Sequence, residues 1–209
     1  MHHGFKMKHS GFDIWNMPNS LLNSTEQKMF HIILIVWAVS ELLIWIFTSL
    51  RRDANKNSDK GSYWGIILGY FFSLYASCSF AGNTSLHLPD AFFRIGFILM
   101  AAGIGLRCFS VWTLKSAFSL SVTVKSDQPL IKCGPYKYLR HPAYTGSIMT
   151  LLGFSLVLRA NWAPFVVIGI CACVYGYRIY VEEKLMLKEF GDIYREYCKT
   201  TWRLIPWIW

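Results

Sequence analysis

The chain has 209 residues, of which 54% are hydrophobic, 17% aromatic and 16% charged, and its formal net charge is +9. Soluble domains carry about 25% charged residues, so this composition argues against a water-soluble protein and favours a membrane protein. The basic residues flank long apolar runs and form no nucleic-acid recognition motif. We therefore expect membrane lipids with anionic headgroups, and not nucleic acid, as their partner.

Apolar runs taken in chain order predict about five transmembrane helices, since roughly 20 helical residues cross the hydrocarbon core. The runs long enough to span alone are 30–50, 62–81 and 92–114. The next apolar stretch, 142–181, is interrupted near its middle by Arg159, Asn161 and Pro164, which is typical of the turn of a helical hairpin. The predicted fold class is an all-α polytopic membrane helix bundle with a cytoplasmic amphipathic helix at its C-terminal end.

Lysine and arginine residues gather in alternate connections, which predicts how the bundle is oriented. Loop 51–60 and segment 115–141 are rich in them, whereas connection 82–91 has none. We expect the two basic segments and the C-terminal tail to lie in the cytoplasm and the N-terminus on the opposite side. The first apolar run begins at Phe30 without a small-residue cleavage site, so we expect no removable signal peptide.

Polar motif residues are distributed unevenly along the chain. A polar tail, 1–28, precedes a three-span membrane half, 29–114, and the charged and polar motif residues concentrate in 115–209. We expect the chemistry in this last region. The six cysteines are scattered without zinc-ligand spacing, so they are interpreted as packing residues and no metal site is predicted.

Two ionisable residues, Glu41 and Arg107, lie inside predicted spans. An unpaired charge in the hydrocarbon core is costly, so each is expected to face the interior of the bundle, where the two can pair with each other. Two interpretations stay open: a role in the substrate path or active site, and a purely structural ion pair.

Segment 134–144 combines a Gly-Pro turn, three tyrosines and an Arg-His pair just before the fourth apolar run. Pro142 disfavours the α region for His141 and suits the first turn of a helix. Free N–H groups at a helix start favour a carboxylate, and aromatic rings suit a flat base or a sulfonium cation. S-adenosylmethionine has all three features; the alternative is an aromatic and basic membrane-interface belt.

A second charged group follows the fifth apolar run. Arg178 and Glu182 are four residues apart and are followed by Glu183. At this spacing the first two share one helix face. The alternative is an ordinary surface salt bridge, which contributes at most about 1 kcal/mol.

Three motifs together resemble the C-terminal core of isoprenylcysteine carboxyl methyltransferases. They are Gly-x-Tyr-x-x-x-Arg-His-Pro-x-Tyr at 134–144, Arg-x-x-x-Glu-Glu at 178–183 and Phe-Gly-x-x-Tyr-x-x-Tyr at 190–197. The resemblance covers roughly residues 95–209, and the first third of the chain is similar only in being hydrophobic. It implies a cytoplasmic cofactor pocket roofed by the polar segment and the C-terminal helix, with a lateral opening for a lipid tail.

The resemblance also implies roles for individual residues. Arg178 matches the residue that holds the substrate carboxylate, whereas Ser121 stands where the eukaryotic pattern has a glutamine that contacts the cofactor. Contacts with S-adenosylmethionine are implied for Gln128, Pro129, Leu130, Ile131, Tyr136, His141, Pro142, Ala143, Tyr144 and Glu182.

The sequence thus predicts an integral membrane enzyme that transfers a methyl group from S-adenosylmethionine to the carboxylate of a lipophilic, isoprenylcysteine-like substrate, either a small molecule or a prenylated protein. One alternative keeps the cofactor and changes the acceptor to a lipid amine, a phenol or a thiol. Another is an NADPH-dependent reductase, because segment 197–206 is also similar to sterol reductases. A non-enzymatic membrane scaffold or solute carrier is the third.

Overall fold

The computed structural model describes residues 22–49, 60–83, 87–114, 130–159 and 161–207. These residues are mostly helical, and the β-pairing among them is one isolated parallel bridge between Leu139 and Trp202. The α-helices are α1 (Ser24–Ser49), α2 (Lys60–Asn83), α3 (Ala91–Leu114), α4 (Pro142–Val157), α5 (Ala163–Phe190) and α6 (Asp192–Thr200). A 3₁₀ turn, Gly134–Lys137, precedes α4. The predicted all-α membrane bundle is confirmed.

Four of the five predicted spans are long and apolar enough to cross a membrane, namely α1, α2, α3 and α5. The remaining one, α4, has 16 residues. It is therefore about 24 Å long at roughly 1.5 Å per residue, short of the hydrocarbon core of about 30 Å. By contrast, α5 has 28 residues and continues nine residues past the predicted end of its apolar run, from 181 to 190. This extension carries Glu182 and Glu183.

The predicted hairpin turn lies between α4 and α5. Arg159 adopts a left-handed backbone conformation with φ of 53°, which reverses the chain after α4. Its Nη1 lies 2.7 Å from Asp90 Oδ1, and its Nε donates a 2.6 Å hydrogen bond to the Leu88 carbonyl. Pro164 occupies the first turn of α5, where a missing N–H costs nothing.

The tightest helix packing joins α3 to α4 through glycines. A Cβ atom added at Gly103 would lie 2.6 Å from the Gly146 carbonyl oxygen, and one added at Gly153 would lie 2.6 Å from the Gly96 carbonyl oxygen. Small residues of this kind let two backbones approach closely, which is how membrane helices gain packing energy. The close packing fixes the beginning of α4 against α3.

Glu41 and Arg107 meet between α1 and α3. Arg107 Nε lies 2.5 Å from Glu41 Oε1, and Arg107 Nη2 donates a 3.0 Å hydrogen bond to Glu41 Oε2. The predicted pairing is confirmed.

Candidate active site

The polar segment before α4 is held by α6. Gly134, with φ of 58°, begins the 3₁₀ turn, and the buried Tyr136 lies within it. Tyr197 of α6 donates a 2.6 Å hydrogen bond from its hydroxyl to the Tyr136 carbonyl oxygen. Burial raises the pKa of both phenols above the ordinary value. Tyr197 therefore keeps its proton at neutral pH and remains a donor.

The chain after α6 pairs with the residues that lead into α4. Trp202 N donates to the Tyr138 carbonyl oxygen at 3.0 Å, and the Trp202 carbonyl oxygen accepts a 2.7 Å bond from Arg140 N. His141 N donates to the Arg203 carbonyl oxygen at 3.1 Å. His141 occupies the N-cap position of α4 with φ of −126° and ψ of 55°, outside the α region as Pro142 predicts. This pairing brings the C-terminal segment directly beside the start of α4.

Glu183 is the carboxylate on which the surrounding basic groups converge. Its Oε1 accepts a 2.9 Å hydrogen bond from Arg140 Nε, and its Oε2 accepts one of 3.0 Å from Arg203 Nε. His141 Nε2 lies 3.4 Å from Oε1. Arg140 Nη1 also donates to the Thr201 carbonyl oxygen. One buried carboxylate thus joins α5, the start of α4 and the C-terminal segment.

Arg178, Tyr144 and Glu182 form the second part of the site. Arg178 is 2% exposed, and its Nε donates a 2.9 Å hydrogen bond to the Tyr144 hydroxyl. That hydroxyl donates in turn to Glu182 Oε2 at 2.7 Å. The Tyr144 ring stacks on His141 with centroids 5.6 Å apart and an interplanar angle of 11°. The Tyr144 hydroxyl of α4 therefore contacts both Arg178 and Glu182 on their shared face of α5.

Most of the predicted site residues converge in this region. The structure brings together Tyr136, His141, Pro142, Ala143, Tyr144, Arg178 and Glu182, at the junction of the 3₁₀ turn, α4, α5 and the C-terminal segment. Leu130 and Ile131 lie half-buried just before the 3₁₀ turn. Gln128, Pro129 and Ser121 lie outside the described residues.

Sequence reasoning missed the arrangement around Glu183. It noted Glu183 only as the second acid of a motif and treated Arg140 as part of an aromatic and basic cluster. Their pairing with Arg203 depends on the C-terminal segment returning to the start of α4. The signal that could have found it is the combination of an Arg-His pair, an Arg near the end of the chain, and a second acid beside Glu182.

Several groups of this site fit a cofactor with hydroxyls and a cationic centre. The Glu182 side chain is 24% exposed, and the Tyr144 hydroxyl donates to only one of its two carboxylate oxygens, Oε2. His141 Nε2 is buried and makes no hydrogen bond of regular geometry to the residues that the structure describes. The free N–H groups predicted at the start of α4 are largely absent, because Pro142 has no N–H and the Tyr144 and Thr145 N–H groups both donate to the His141 carbonyl oxygen at 3.1 Å. Glu182 and His141 together offer an anion and a buried imidazole nitrogen.

The fold and this site define a class of protein: a polytopic helical membrane protein with a largely buried cluster of charged and aromatic side chains at one end of its bundle. The family model described as phospholipid methyltransferase matches residues 91–193. The protein-S-isoprenylcysteine O-methyltransferase of Schizosaccharomyces pombe is 30% identical over 171 residues, 73% of this chain and 70% of that protein. This chain belongs to the isoprenylcysteine carboxyl methyltransferase family, as its motifs predict.

Other relatives match a shorter part of this chain. The protein of the same name from Saccharomyces cerevisiae is 32% identical over 116 residues, 54% of this chain. That from Dictyostelium discoideum is 30% identical over 119 residues, also 54% of this chain. The chain spans about half the length of these two proteins, 48% and 49%.

A solved structure shares the fold. The eukaryotic intramembrane Ras methyltransferase, an isoprenylcysteine carboxyl methyltransferase, aligns with a TM-score of 0.64 at 20% sequence identity, over 94% of this chain and 73% of that one.

Proposed function

We propose that this protein is an integral membrane methyltransferase that moves a methyl group from S-adenosylmethionine to the carboxylate of a lipophilic, isoprenylcysteine-like acceptor. The observation that carries the proposal is the buried Arg178, held by Tyr144 beside Glu182. The names of the relatives support the same reaction.

The cofactor, when bound, supplies an electrophilic methyl group on a sulfonium centre. Glu182 would accept hydrogen bonds from its hydroxyl or amino groups. The stacked rings of His141 and Tyr144 suit its base or its cationic centre. The remaining contacts are assigned to Tyr136, Pro142, Ala143, Leu130, Ile131, Gln128 and Pro129.

Arg178 would hold the acceptor. A guanidinium forks onto a carboxylate with two parallel hydrogen bonds, and this geometry also fixes the direction of the attacking oxygen. The Tyr144 hydroxyl restrains the guanidinium through Nε. Attack of a carboxylate on a sulfonium methyl needs little acid or base help, so alignment and exclusion of water dominate, and alignment contributes about 7–11 kcal/mol in favourable systems.

The proposed orientation places this site in the cytoplasm, and the proposed partners are anionic lipids and a prenylated substrate. Exposed basic residues surround the site end of the bundle: Lys132, Lys137, Lys184 and Lys188. Basic residues at this end of the bundle agree with the predicted orientation, in which the connections rich in Lys and Arg lie in the cytoplasm. Glycosylation tagging that places both termini on one side of the membrane would contradict this orientation.

A second candidate is methylation of a lipid headgroup amine, which the match to the phospholipid methyltransferase model favours. An amine must lose a proton before it attacks, and His141 or Glu182 would have to act as the base. The two candidates therefore differ in the product and in the residues they need.

One experiment separates the candidates. The protein in lipid nanodiscs is supplied with methyl-labelled S-adenosylmethionine and either a farnesylated cysteine bearing a free carboxylate, its carboxamide, or phosphatidylethanolamine. We expect a base-labile methyl ester on the carboxylate alone. A base-stable label on the phospholipid would establish the second candidate. Oxidation of NADPH with a sterol, and no methyl transfer, would instead establish a reductase.

A further inference from the structure

The ion pair between α1 and α3 is largely withdrawn from solvent. The side chains of Arg107 and Glu41 are 10% and 27% exposed, respectively. Two hydrogen bonds join them, at 2.5 Å and 3.0 Å. Removing two charges from water costs about as much as their attraction returns, so apolar replacements of a buried pair are often neutral for stability. Stability alone therefore does not explain why the pair is present.

Arg107 also reaches the backbone of α4. Its Nη1 donates a 2.8 Å hydrogen bond to Ser147 Oγ and lies 3.5 Å from the Ala143 carbonyl oxygen. Ser147 Oγ donates to the same carbonyl at 3.0 Å. A Cβ atom added at Gly146 would lie 2.9 Å from Arg107 Cβ. The guanidinium is thus placed directly on the first two turns of α4, with Glu41 fixing its orientation.

The first turn of α4 carries the residue on which the proposed site depends. Ala143, whose carbonyl receives these bonds, directly precedes Tyr144. The Tyr144 hydroxyl joins Arg178 at 2.9 Å to Glu182 at 2.7 Å. A change in the direction of the Ala143 carbonyl rotates the following peptide and therefore displaces the Tyr144 side chain. Glu41 on α1 is connected in this way to both proposed substrate-binding groups.

The ion pair is not required to hold α3 and α4 together. Close backbone contacts at Gly103 and Gly146 already do so. Nor is it the only attachment of α1, because Phe30 and Trp37 both pack against Phe154 of α4, with ring centroids 6.1 and 6.2 Å apart. We infer that Glu41 and Arg107 are positioning residues, which set the first turn of α4 so that Tyr144 aligns Arg178 and Glu182 for the reaction. The inference rests on the proposed function.

The test replaces the charged pair by apolar side chains, in the double variant Glu41→Leu/Arg107→Met. We expect its thermal midpoint to stay close to that of the native protein, because buried ion pairs tolerate such replacement. We expect kcat on the carboxylate acceptor to fall by about 10- to 100-fold, since small misplacements of reacting groups have effects of this size. Hydrogen exchange should quicken in 141–147, while 150–157 of the same helix is unchanged.

Three further variants complete the design. Asp90→Asn breaks an ion pair at the other end of α3 and α4 and should leave kcat unchanged. In a Tyr144→Phe background the double variant should lower kcat little further, because both changes act through the Tyr144 hydroxyl. If the double variant is not recovered, Ser147→Ala removes the link to α4 alone and should lower kcat and quicken exchange in the same segment.

The outcomes separate this inference from the proposed function. A double variant with native kcat overturns the positioning role, whether or not exchange changes. Additive losses with Tyr144→Phe also overturn it. If the native protein methylates no carboxylate, the proposed function fails. The hydrogen-exchange measurement then tests the positioning inference by itself. In that case faster exchange confined to 141–147 supports positioning of the turn, and unchanged exchange overturns it.

Discussion

An arginine ties the helices together at each end of the bundle, and the two ends differ in burial. At the hairpin end, Arg159 pairs with Asp90, whose side chain is 78% exposed. At the site end, Arg140 pairs with Glu183, and both side chains are 10% exposed. An exposed carboxylate is well solvated with or without its partner, whereas a buried one depends on it. We therefore expect the arginine–carboxylate pair to contribute little to stability at the hairpin end and much at the site end.

The largest effect is expected from Glu183→Gln. This change keeps the shape of the side chain but leaves the buried charge of Arg140 without its carboxylate. Loss of one partner of a buried pair costs about 3–5 kcal/mol, so the variant should unfold at a markedly lower temperature. Thermal unfolding in detergent measures this. A midpoint equal to that of the native protein would contradict the contrast between the two ends.

A smaller effect, on turnover alone, is expected from Arg178→Lys. Lysine keeps the charge but loses the planar fork. We expect turnover on a carboxylate acceptor to fall on the order of 100-fold through lost alignment, with S-adenosylhomocysteine binding nearly intact and Arg178→Ala worse still. Near-native turnover by the lysine variant would remove the carboxylate acceptor from the proposal and leave only the broader membrane methyltransferase.

Glu182→Gln should weaken cofactor binding while the protein still folds, because its side chain is 24% exposed and belongs to the proposed pocket. A hydrogen bond to a charged group contributes about 1.5–3 kcal/mol, so affinity for S-adenosylhomocysteine should fall roughly tenfold or more. His141→Ala should also lose affinity. Calorimetric titration measures both, and unchanged affinity in both variants would remove the proposed pocket.

The smallest effect is expected from Asp90→Asn at the hairpin end. The carboxylate is largely exposed, and Arg159 keeps its hydrogen bond to the Leu88 carbonyl. Surface pairs contribute about 0–1 kcal/mol, so the thermal midpoint should barely change. A loss as large as that of Glu183→Gln would show that burial does not explain the difference between the ends.

Sequence reasoning reached much of the site because its motifs are local. Pro142 predicted the start of α4, and the spacing of Arg178 and Glu182 predicted one shared face; the structure has both. The end of α4 was predicted as well, because Arg159 interrupts the apolar stretch and the helix ends at Val157. The left-handed backbone of Arg159, which reverses the chain there, was not predictable from hydropathy. A reversal of this kind depends on contacts with Asp90 and Leu88, far away in the chain.

The sequence by itself determined the membrane bundle and four of its five predicted spans, because hydropathy and helical spacing act over neighbouring residues. The region of the chemistry stays a prediction. It also indicated that Glu41 and Arg107 pair, since a lone charge in hydrocarbon is too costly. Only the tertiary structure decided which groups surround Glu183, and that Tyr144 joins Arg178 to Glu182. Those contacts depend on the return of the C-terminal segment and on the close approach of α3 to α4. A local sequence pattern does not specify how segments that are far apart in the chain are placed relative to one another.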